Sequence, residues 1–266
     1  VLFRSMFSDT LSMYPVQDSE KWFEIPVVAT NICDYDRSFG VEVDDKASNA
    51  IEKKQYVVES NTVTIKAGER VAKFRMKGVY ENIGKTDSLS VTFNLLAKDE
   101  NIWDLYGTRT RVQMQKACPF ELSTFEGYCL LTSSFFSAYM TNTEHRLLQA
   151  ERDKAEDNTI ILHDFFYKNY DLKIKYDPSD PLKPFVEFDE QIIGSTAEAF
   201  GTIYGNGKLM CDQPVAYDSY YNVCQKFVIL YTTIYVVGKG TVGTYVNILE
   251  WISDEEAEQY KKEEGL

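Results

Sequence analysis

Apolar and polar residues alternate along most of this chain, and a two-residue period belongs to extended strands rather than to helices. The segment 89–96 (LSVTFNLL) shows the pattern, with Leu89, Val91, Phe93 and Leu95 on one side. The chain also contains 18 Tyr and 16 Phe, residues that favour strands. The alternation therefore predicts an all-β protein.

The alternation breaks near residue 118, where Cys118 and Pro119 interrupt it. Because 266 residues exceed the usual size of one domain, we predict two domains. Residues 6–117 contain about seven short alternating segments separated by polar turns, which is typical of an Ig-like β-sandwich. Pro26, inside the first of these segments, predicts an edge strand or a bulge.

Residues 118–253 carry longer alternating segments joined by hairpin turns, and one strand is predicted at 198–204. A sequential antiparallel meander removes its exposed edges by closing, so we predict a lipocalin-like β-barrel of about eight strands. Residues 254–266 are acidic and helix-prone but show no apolar face, which predicts a solvated tail. Residues 1–5 (VLFRS) read as non-native sequence, and we leave them out of the fold prediction.

The charge of the chain disfavours several classes of partner. The sequence has 41 acidic and 28 basic residues, for a net charge of −13. Nucleic acids and anionic membrane surfaces are bound through basic surfaces, so neither is predicted as a partner. Because the sequence has no apolar run long enough to span a bilayer, we expect membrane attachment only through a lipid anchor on a longer N-terminus.

The sequence motifs of common enzymes are missing or stand in the wrong context. Gly238, Gly240 and Gly243 match a dinucleotide-binding string, but strand-like sequence follows where a helix is required, so we predict a hairpin. His145 and His163 are the two histidines, and no G-x-S-x-G motif occurs. We therefore predict a protein that is not an enzyme and uses no cofactor. A pair of carboxylates stays open as a catalytic route, because acidic residues are abundant.

The cysteines and the acidic pairs do not predict a metal site. No C-x-x-C motif occurs, and two histidines are too few to suggest zinc. Acidic residues at 34–36 and 44–45 lack the spacing of a calcium-binding loop, and we interpret them as solvated turns. Cys211 and Cys224 flank a short loop, where either a disulfide or two buried free thiols would fit.

Tyrosines cluster in loop-like segments of the second part. Tyr217, Tyr220 and Tyr221 lie in the polar segment QPVAYDSYYNVC, and Tyr167 and Tyr170 follow a pair of phenylalanines. A tyrosine offers a ring face and a hydroxyl at a small cost in side-chain entropy, which suits the binding of sugars and proteins. We predict that these five tyrosines contact a ligand, with packing between loops and the barrel as the alternative.

The first part resembles a Calx-beta-like module. The features that carry the resemblance are ASNA at 47–50, Gln55-Tyr56, VTIKAGE at 63–69 and Phe74. The resemblance implies an Ig-like sandwich. Lys53, Lys54 and Gln55 stand where a Gly and an Asp are usual, and no acidic pair closes the module. The calcium ligands of that family are therefore not carried over to this chain.

The second part resembles the C-terminal domain of uncharacterised surface lipoproteins of Bacteroidetes. The matching segments are Phe125-Glu126-Gly127-Tyr128, NTII at 158–161, Asp177-Pro178, FVEFDEQIIG at 185–194 and ILEW at 248–251. The resemblance implies an exported protein that is lipid-anchored at the outer membrane or cell surface of a gut-type bacterium. The family has no established activity.

These observations lead to one function hypothesis and two alternatives. We predict non-catalytic binding at the cell envelope, with a glycan or another extracellular polymer as the favoured ligand. The first alternative is a structural or assembly role, with an envelope protein as the partner in an outer-surface complex. The second is a small-molecule carrier, which needs a pocket of about 300 Å³ or more inside the barrel.

Overall fold

A computed structural model of the protein describes residues 5–7, 11–98 and 107–264. The chain forms two compact units, Val1–Cys118 and Pro119–Leu266. Strands dominate both units, which confirms the all-β prediction. Residues 1–4, most of the predicted non-native segment, and the last two residues of the predicted tail lie outside the described residues.

The first unit contains nine described strands in two sheets, with the strand orders β1-β3-β7-β5 and β2-β9-β8-β4-β6. A 3-10 helix covers Tyr80–Asn82. The strands are β1 (Ser5–Phe7), β2 (Leu11–Val16), β3 (Phe23–Ala29), β4 (Arg37–Val43), β5 (Tyr56–Val58), β6 (Thr62–Ile65), β7 (Val71–Gly78), β8 (Leu89–Leu96) and β9 (Arg109–Lys116).

The two sheets of the first unit share one apolar core. Phe74 of the first sheet meets Phe93 of the second edge to face at 4.9 Å, and Ile25 and Val91 are buried beside them. This arrangement confirms the predicted sandwich. Side chains on the inner faces of the two sheets alternate with more exposed ones along each strand. The two-residue period of the sequence therefore matches the packing of alternate side chains into the core.

Pro26 lies in β3, which is placed between β1 and β7 and pairs with β7 in regular register, so it marks neither the edge strand nor the bulge that the sequence predicts. Ala29 donates its N–H to the main-chain oxygen of Arg70, so the odd-numbered residues of β3 point their N–H groups toward β7. The nitrogen of Pro26 therefore faces the β1 side, where the described residues of β1 pair with residues 27–29. Because proline has no N–H to donate, it fits at a position that donates no hydrogen bond to β7.

The second unit contains ten strands, three α-helices and a 3-10 helix at Leu122–Phe125. The helices are α1 (Ser134–Tyr139), α2 (Thr196–Phe200) and α3 (Asp254–Glu264). The strands are β10 (Gly127–Ser133), β11 (Arg146–Arg152), β12 (Thr159–Leu162), β13 (Leu172–Tyr176), β14 (Phe185–Glu187), β15 (Gln191–Ser195), β16 (Lys208–Asp212), β17 (Ser219–Asn222), β18 (Phe227–Val236) and β19 (Gly240–Ile252).

Eight of these strands close into an antiparallel barrel. Neighbours pair in the order β10, β11, β12, β13, β14, β17, β18 and β19, and β19 pairs with β10 to complete the ring. The barrel prediction is confirmed, with one departure from a simple meander. The β15–β16 hairpin pairs with β18 near its end, at Thr233–Tyr235, and β14 consequently pairs with β17 rather than with β15.

The predicted strand at 198–204 is wrong, because helix α2 and a turn occupy this segment. The side chain of Ser195 accepts the N–H of Glu198, and the carboxylate of Glu198 accepts the N–H of Ser195, which together form a capping box. Gly201 ends the helix with a φ of 71°. These local capping signals outweigh the short alternation that suggested a strand.

Aromatic side chains fill the interior of the barrel. Phe125 stacks on Tyr176 at 4.6 Å and meets Trp251 edge to face at 5.0 Å. Phe166 stacks on Phe135 at 4.8 Å and on Phe165, which belong to the same buried cluster. This packing argues against the small-molecule carrier, because the rings occupy the space that a ligand would need.

The acidic tail is not a solvated end, contrary to the sequence prediction. Residues 254–264 form α3, in which Ala257 is fully buried. Tyr260 donates its hydroxyl to the main-chain oxygen of His145 at 3.3 Å, and Lys261 Nζ lies 4.3 Å from the ring centre of Tyr128. A single small residue and two long side chains dock the helix, a contact that a search for an apolar stripe does not detect.

Three cysteines, Cys33, Cys129 and Cys211, are buried free thiols. Cys211 therefore does not form the disulfide with Cys224 that the spacing left open. Burial raises the pKa of the Cys211 thiol to about 12, so it stays protonated at neutral pH. Within the described part of the chain, no helix is both long and apolar enough to cross a bilayer.

Candidate functional site

Tyr221, one of the predicted ligand contacts, belongs to the core of the second unit. It is 4% exposed, and its hydroxyl donates to the main-chain oxygen of Asp177 at 3.2 Å. Its ring meets Tyr176 edge to face at 5.1 Å, and burial raises its pKa to about 12. Tyr221 packs in the core of the barrel, so we do not retain it as a ligand contact.

Tyr167 and Tyr170 shape the turn between β12 and β13. Phe165 donates its N–H to the oxygen of Tyr170, and Tyr170 donates its N–H to the oxygen of Tyr167. The half-buried ring of Tyr167 lies against Gly194, where an added Cβ would be 2.5 Å from Cδ2 of the tyrosine. Burial raises the pKa of Tyr167 to about 12. The contacts of the Tyr167 ring match the packing alternative rather than an open ligand surface, and these hydrogen bonds of Tyr170 involve its main chain.

Tyr217 and Tyr220 are exposed, by 53% and 41% of their surfaces. Along β17, Ser219 and Tyr221 point into the barrel, and Tyr220 between them points outward because successive side chains alternate. Tyr217 precedes the strand and stacks on Tyr231 of β18, with ring centres 5.1 Å apart. Two of the five predicted tyrosines are thus brought together on the outer wall of the barrel.

These two tyrosines belong to a larger surface that spans four strands. In register across the wall, Phe185 of β14 pairs with Tyr220, Tyr220 with Ile229 of β18, and Ile229 with Ile248 of β19. Phe227 meets the ring of Tyr220 edge to face at 6.3 Å. We call this surface the aromatic face, and it consists of Phe185, Tyr217, Tyr220, Phe227, Ile229, Tyr231 and Ile248.

The sequence reasoning missed most of the aromatic face because β18 is apolar on both sides. Val228 and Leu230 are buried, and the outward residues Phe227, Ile229 and Tyr231 remain partly exposed. A strand with apolar residues on both faces is usually read as fully buried. The useful signal is that the strand belongs to a hairpin meander, in which one face of every strand is expected to meet solvent.

Polar groups border the aromatic face farther along β18. Thr233 and Thr244 face each other with hydroxyl oxygens 3.0 Å apart. Tyr235 donates a short hydrogen bond to the carboxylate of Glu190, and this bond raises the pKa of Tyr235 to about 12. Hydroxyls beside partly exposed rings give the wall both apolar and hydrogen-bonding character.

The two histidines contact side chains on neighbouring segments, and the glycine string forms a hairpin. His145 Nδ1 lies 2.8 Å from Thr132 Oγ1 on the neighbouring strand, and His163 Nδ1 lies 3.0 Å from Asp171 Oδ2. Gly238 and Gly240 have φ angles of 73° and 117° in the hairpin between β18 and β19, as predicted for this string. The described residues contain no group of three His, Cys, Asp or Glu side chains that could hold a metal ion.

Three of the solved structures that are similar to this chain are the following. The Calx CBD1 domain in its apo form is 16% identical over 44% of this chain and 98% of that domain, with a TM-score of 0.35. A protein of unknown function from Bacteroides ovatus is 9% identical over 92% of this chain and 89% of its own, with a TM-score of 0.39. An auxiliary nutrient binding protein from Bacteroides thetaiotaomicron is 10% identical over 92% and 91%, with a TM-score of 0.32.

No curated protein matches the sequence. Residues 105–263 match the family described as a domain of unknown function, DUF4984. The match covers the whole barrel, including the aromatic face and most of α3, and more than half of the chain. This protein therefore belongs to the DUF4984 family.

Proposed function

We propose that this protein is a non-catalytic carbohydrate-binding protein of the cell envelope, and that the aromatic face is where the glycan binds. One observation carries the proposal: Tyr217 and Tyr231 are stacked beside the exposed ring of Tyr220 on the outer wall. Outward strand positions of a barrel in water are usually polar. A cluster of partly exposed rings at such positions therefore indicates a binding surface.

The chemistry of tyrosine suits a sugar. A pyranose ring has apolar C–H faces and a rim of hydroxyls, so it can pack on a ring face and hydrogen-bond at the ring edge. Tyr217 and Tyr220 provide both functions, and the hydroxyls of Thr233 and Thr244 lie farther along the same wall. Tyr220 lies on a paired strand and Tyr217 stacks on Tyr231 of β18, so both rings are largely held in place before a ligand arrives.

The charge of the chain narrows the class of polymer. With a net charge of −13, the protein repels nucleic acids and strongly anionic polysaccharides at low salt. A neutral glycan meets no such repulsion. We therefore place neutral polysaccharides ahead of sulfated or uronic-acid polymers.

The envelope location is part of the proposal and rests on the resemblance to surface lipoproteins. A lipid-anchored binding protein holds a polymer at the cell surface without needing chemistry of its own. The packed barrel interior fits such a non-catalytic role.

The aromatic face also supports a second candidate, a docking surface for another envelope protein. Ile229 and Ile248 add aliphatic area to the rings, and Val215 is fully exposed in the loop that precedes Tyr217. Contiguous apolar surface is typical of protein interfaces. In that case the face would bind a protein whether or not sugars are present.

The test uses the full chain on a glycan array, followed by calorimetry with the polysaccharides that bind. We expect binding to at least one neutral polysaccharide and its loss in Tyr220→Ala. Tyr204→Ala is the matched control, because Tyr204 is 47% exposed and lies outside the aromatic face. An array without binding, or equal binding by both variants, would rule out the glycan proposal. Protein capture that requires Tyr220 would then support the docking alternative.

A further inference from the structure

A polar cleft of about 440 Å³ opens on the outer wall of the second unit. It lies where β14 ends at Glu187 and β15 begins at Gln191. Lys173 and Lys175 of β13 line one side, and Asp189 lines the gap between the two strands. The buried residues Ile174 and Phe188 also line it, together with Glu156 and Gln213.

Two side-chain amides replace main-chain pairing at this gap. Gln191 Oε1 accepts the N–H of Lys173 at 2.8 Å, and Gln191 Nε2 donates to the oxygen of Lys173 at 2.9 Å. Gln213 Oε1 accepts the N–H of Phe188 at 3.2 Å. Main-chain groups near a core need hydrogen-bond partners, so these amides keep the interrupted wall stable. The cleft is thus a part of the barrel wall that is held by hydrogen bonds rather than a loose loop.

Some charged side chains at the cleft form ion pairs with residues that the structure describes, and others do not. Lys173 is paired with Asp153, with Nζ 2.5 Å from Oδ2. In contrast, no hydrogen bond or ion pair from another described residue engages the carboxylates of Glu187 and Asp189. Beside an apolar ring, the cleft therefore presents carboxylate acceptors that are available to a ligand.

We propose that this cleft is a second sugar subsite, which binds a neutral or amino sugar of the same polysaccharide chain that lies on the aromatic face. Sugar hydroxyls donate to the carboxylates of Glu187 and Asp189, and the ring packs toward Phe188. Hydrogen bonds to a charged group contribute more than neutral ones, which makes carboxylates effective in sugar binding. A uronic acid would add a further negative charge beside the carboxylates of Glu187 and Asp189, so we expect it to bind more weakly than a neutral sugar.

Strand β14 joins the cleft to the aromatic face. Phe185 of the aromatic face and Glu187 of the cleft point outward from the same strand, two residues apart. At a strand rise of about 3.3 Å per residue, their Cα atoms are about 7 Å apart. An extended chain on the rings of Phe185 and Tyr220 therefore reaches the cleft without leaving the wall. This inference rests on the proposed function, because it assigns a second subsite for the same ligand.

The deciding experiment is an NMR titration of the full chain with neutral oligosaccharides. The probes are gluco-, malto-, manno- and xylo-oligosaccharides from disaccharide to octasaccharide, with oligogalacturonates as the charged counterparts. We expect the longer neutral probes to shift the resonances of both Tyr220 and Gln191, and the oligogalacturonates to shift neither. Shifts at Tyr220 alone would overturn the cleft subsite and leave the proposed function standing. Shifts at Gln191 alone would overturn glycan binding at the aromatic face. An absence of shifts would overturn both the aromatic face and the cleft as binding sites.

Matched variants then measure the contribution of the cleft. Glu187→Gln keeps the size of the side chain but removes the charge, and we expect about tenfold weaker binding of an octasaccharide. A short oligosaccharide that fills only the aromatic face should bind the variant and the parent equally. Glu121→Gln is the control, since Glu121 is an exposed acid outside the cleft. Equal octasaccharide affinity in both variants would overturn the subsite.

Discussion

Tyr217 stacks on Tyr231 with ring centres 5.1 Å apart and an angle of 20° between the ring planes. One ring comes from the loop before β17 and the other from β18, so the contact holds that loop against the barrel wall. An aromatic side chain that is already packed loses little further freedom when a ligand binds. The stack therefore makes this part of the aromatic face a preorganised surface.

The first prediction concerns Tyr231. Tyr231→Ala removes one ring and the support of Tyr217, so polysaccharide affinity should fall by about tenfold or more. The free energy of unfolding should change by only about 1 kcal/mol, because the side chain lies on the outer face. Calorimetry and chemical denaturation measure the two quantities. Tyr231→Phe, which keeps the ring, should retain most of the affinity, and an equal loss in both variants would contradict a role for stacking.

The second prediction tests the contact between Gly194 and Tyr167. Because an added Cβ would be 2.5 Å from Cδ2 of Tyr167, Gly194→Ala should destabilise the second unit by about 1–3 kcal/mol. Thermal and urea denaturation provide the measurement. In the background of Tyr167→Ala the same substitution should cost much less, because the clashing ring is gone. A full cost in that background would show that the ring is not the cause.

The third prediction concerns the docking of α3. Ala257→Glu places a charge at a fully buried position, and we expect a loss of about 3 kcal/mol or more, or release of the helix. Glu255→Ala, at an exposed position of the same helix, should have a small effect. Hydrogen exchange at residues 254–264 distinguishes a released helix from a docked one. Equal stability of the two variants would instead support a solvated tail at residues 254–266.

The fourth prediction is a pH dependence at Asp153. The hydrogen bond from Lys173 holds the pKa of Asp153 below its usual value, and the N–H of Ala155 adds to the effect. A carboxyl with a lowered folded-state pKa stabilises the fold above its unfolded pKa of about 3.9, and this contribution is lost as the pH falls through the folded value. Acidification should therefore destabilise the parent more than Asp153→Asn.

Urea denaturation at pH 7 and at pH 3 measures this difference, with the indole resonance of Trp251 reporting on the second unit. Asp153→Asn should be the less stable protein at pH 7, where the parent has its ion pair with Lys173. The gap between the two should narrow on acidification. A constant gap would mean that the pair contributes nothing to the pH profile.

The three clustered tyrosines of the QPVAYDSYYNVC segment differ in burial, although the sequence places them together. Tyr217, Tyr220 and Tyr221 were grouped by composition, yet Tyr221 lies in the core while the other two are exposed. Tyr220 and Tyr221 are adjacent in a strand, so alternation sends them to opposite faces once the segment is known to be β17. The polar composition of this segment predicts a loop, and a loop imposes no such alternation.

The sequence by itself determined the all-β class, the sandwich, the barrel and the hairpin at Gly238–Gly240, because side-chain periodicity and turn chemistry act over a few residues. Only the tertiary structure decided the pairing of β14 with β17, which brings Phe185 beside Tyr220. The same holds for the cleft beside Glu187 and the burial of Ala257. These features depend on contacts between residues far apart in the chain, and one sequence carries no local signal of which distant strands will meet.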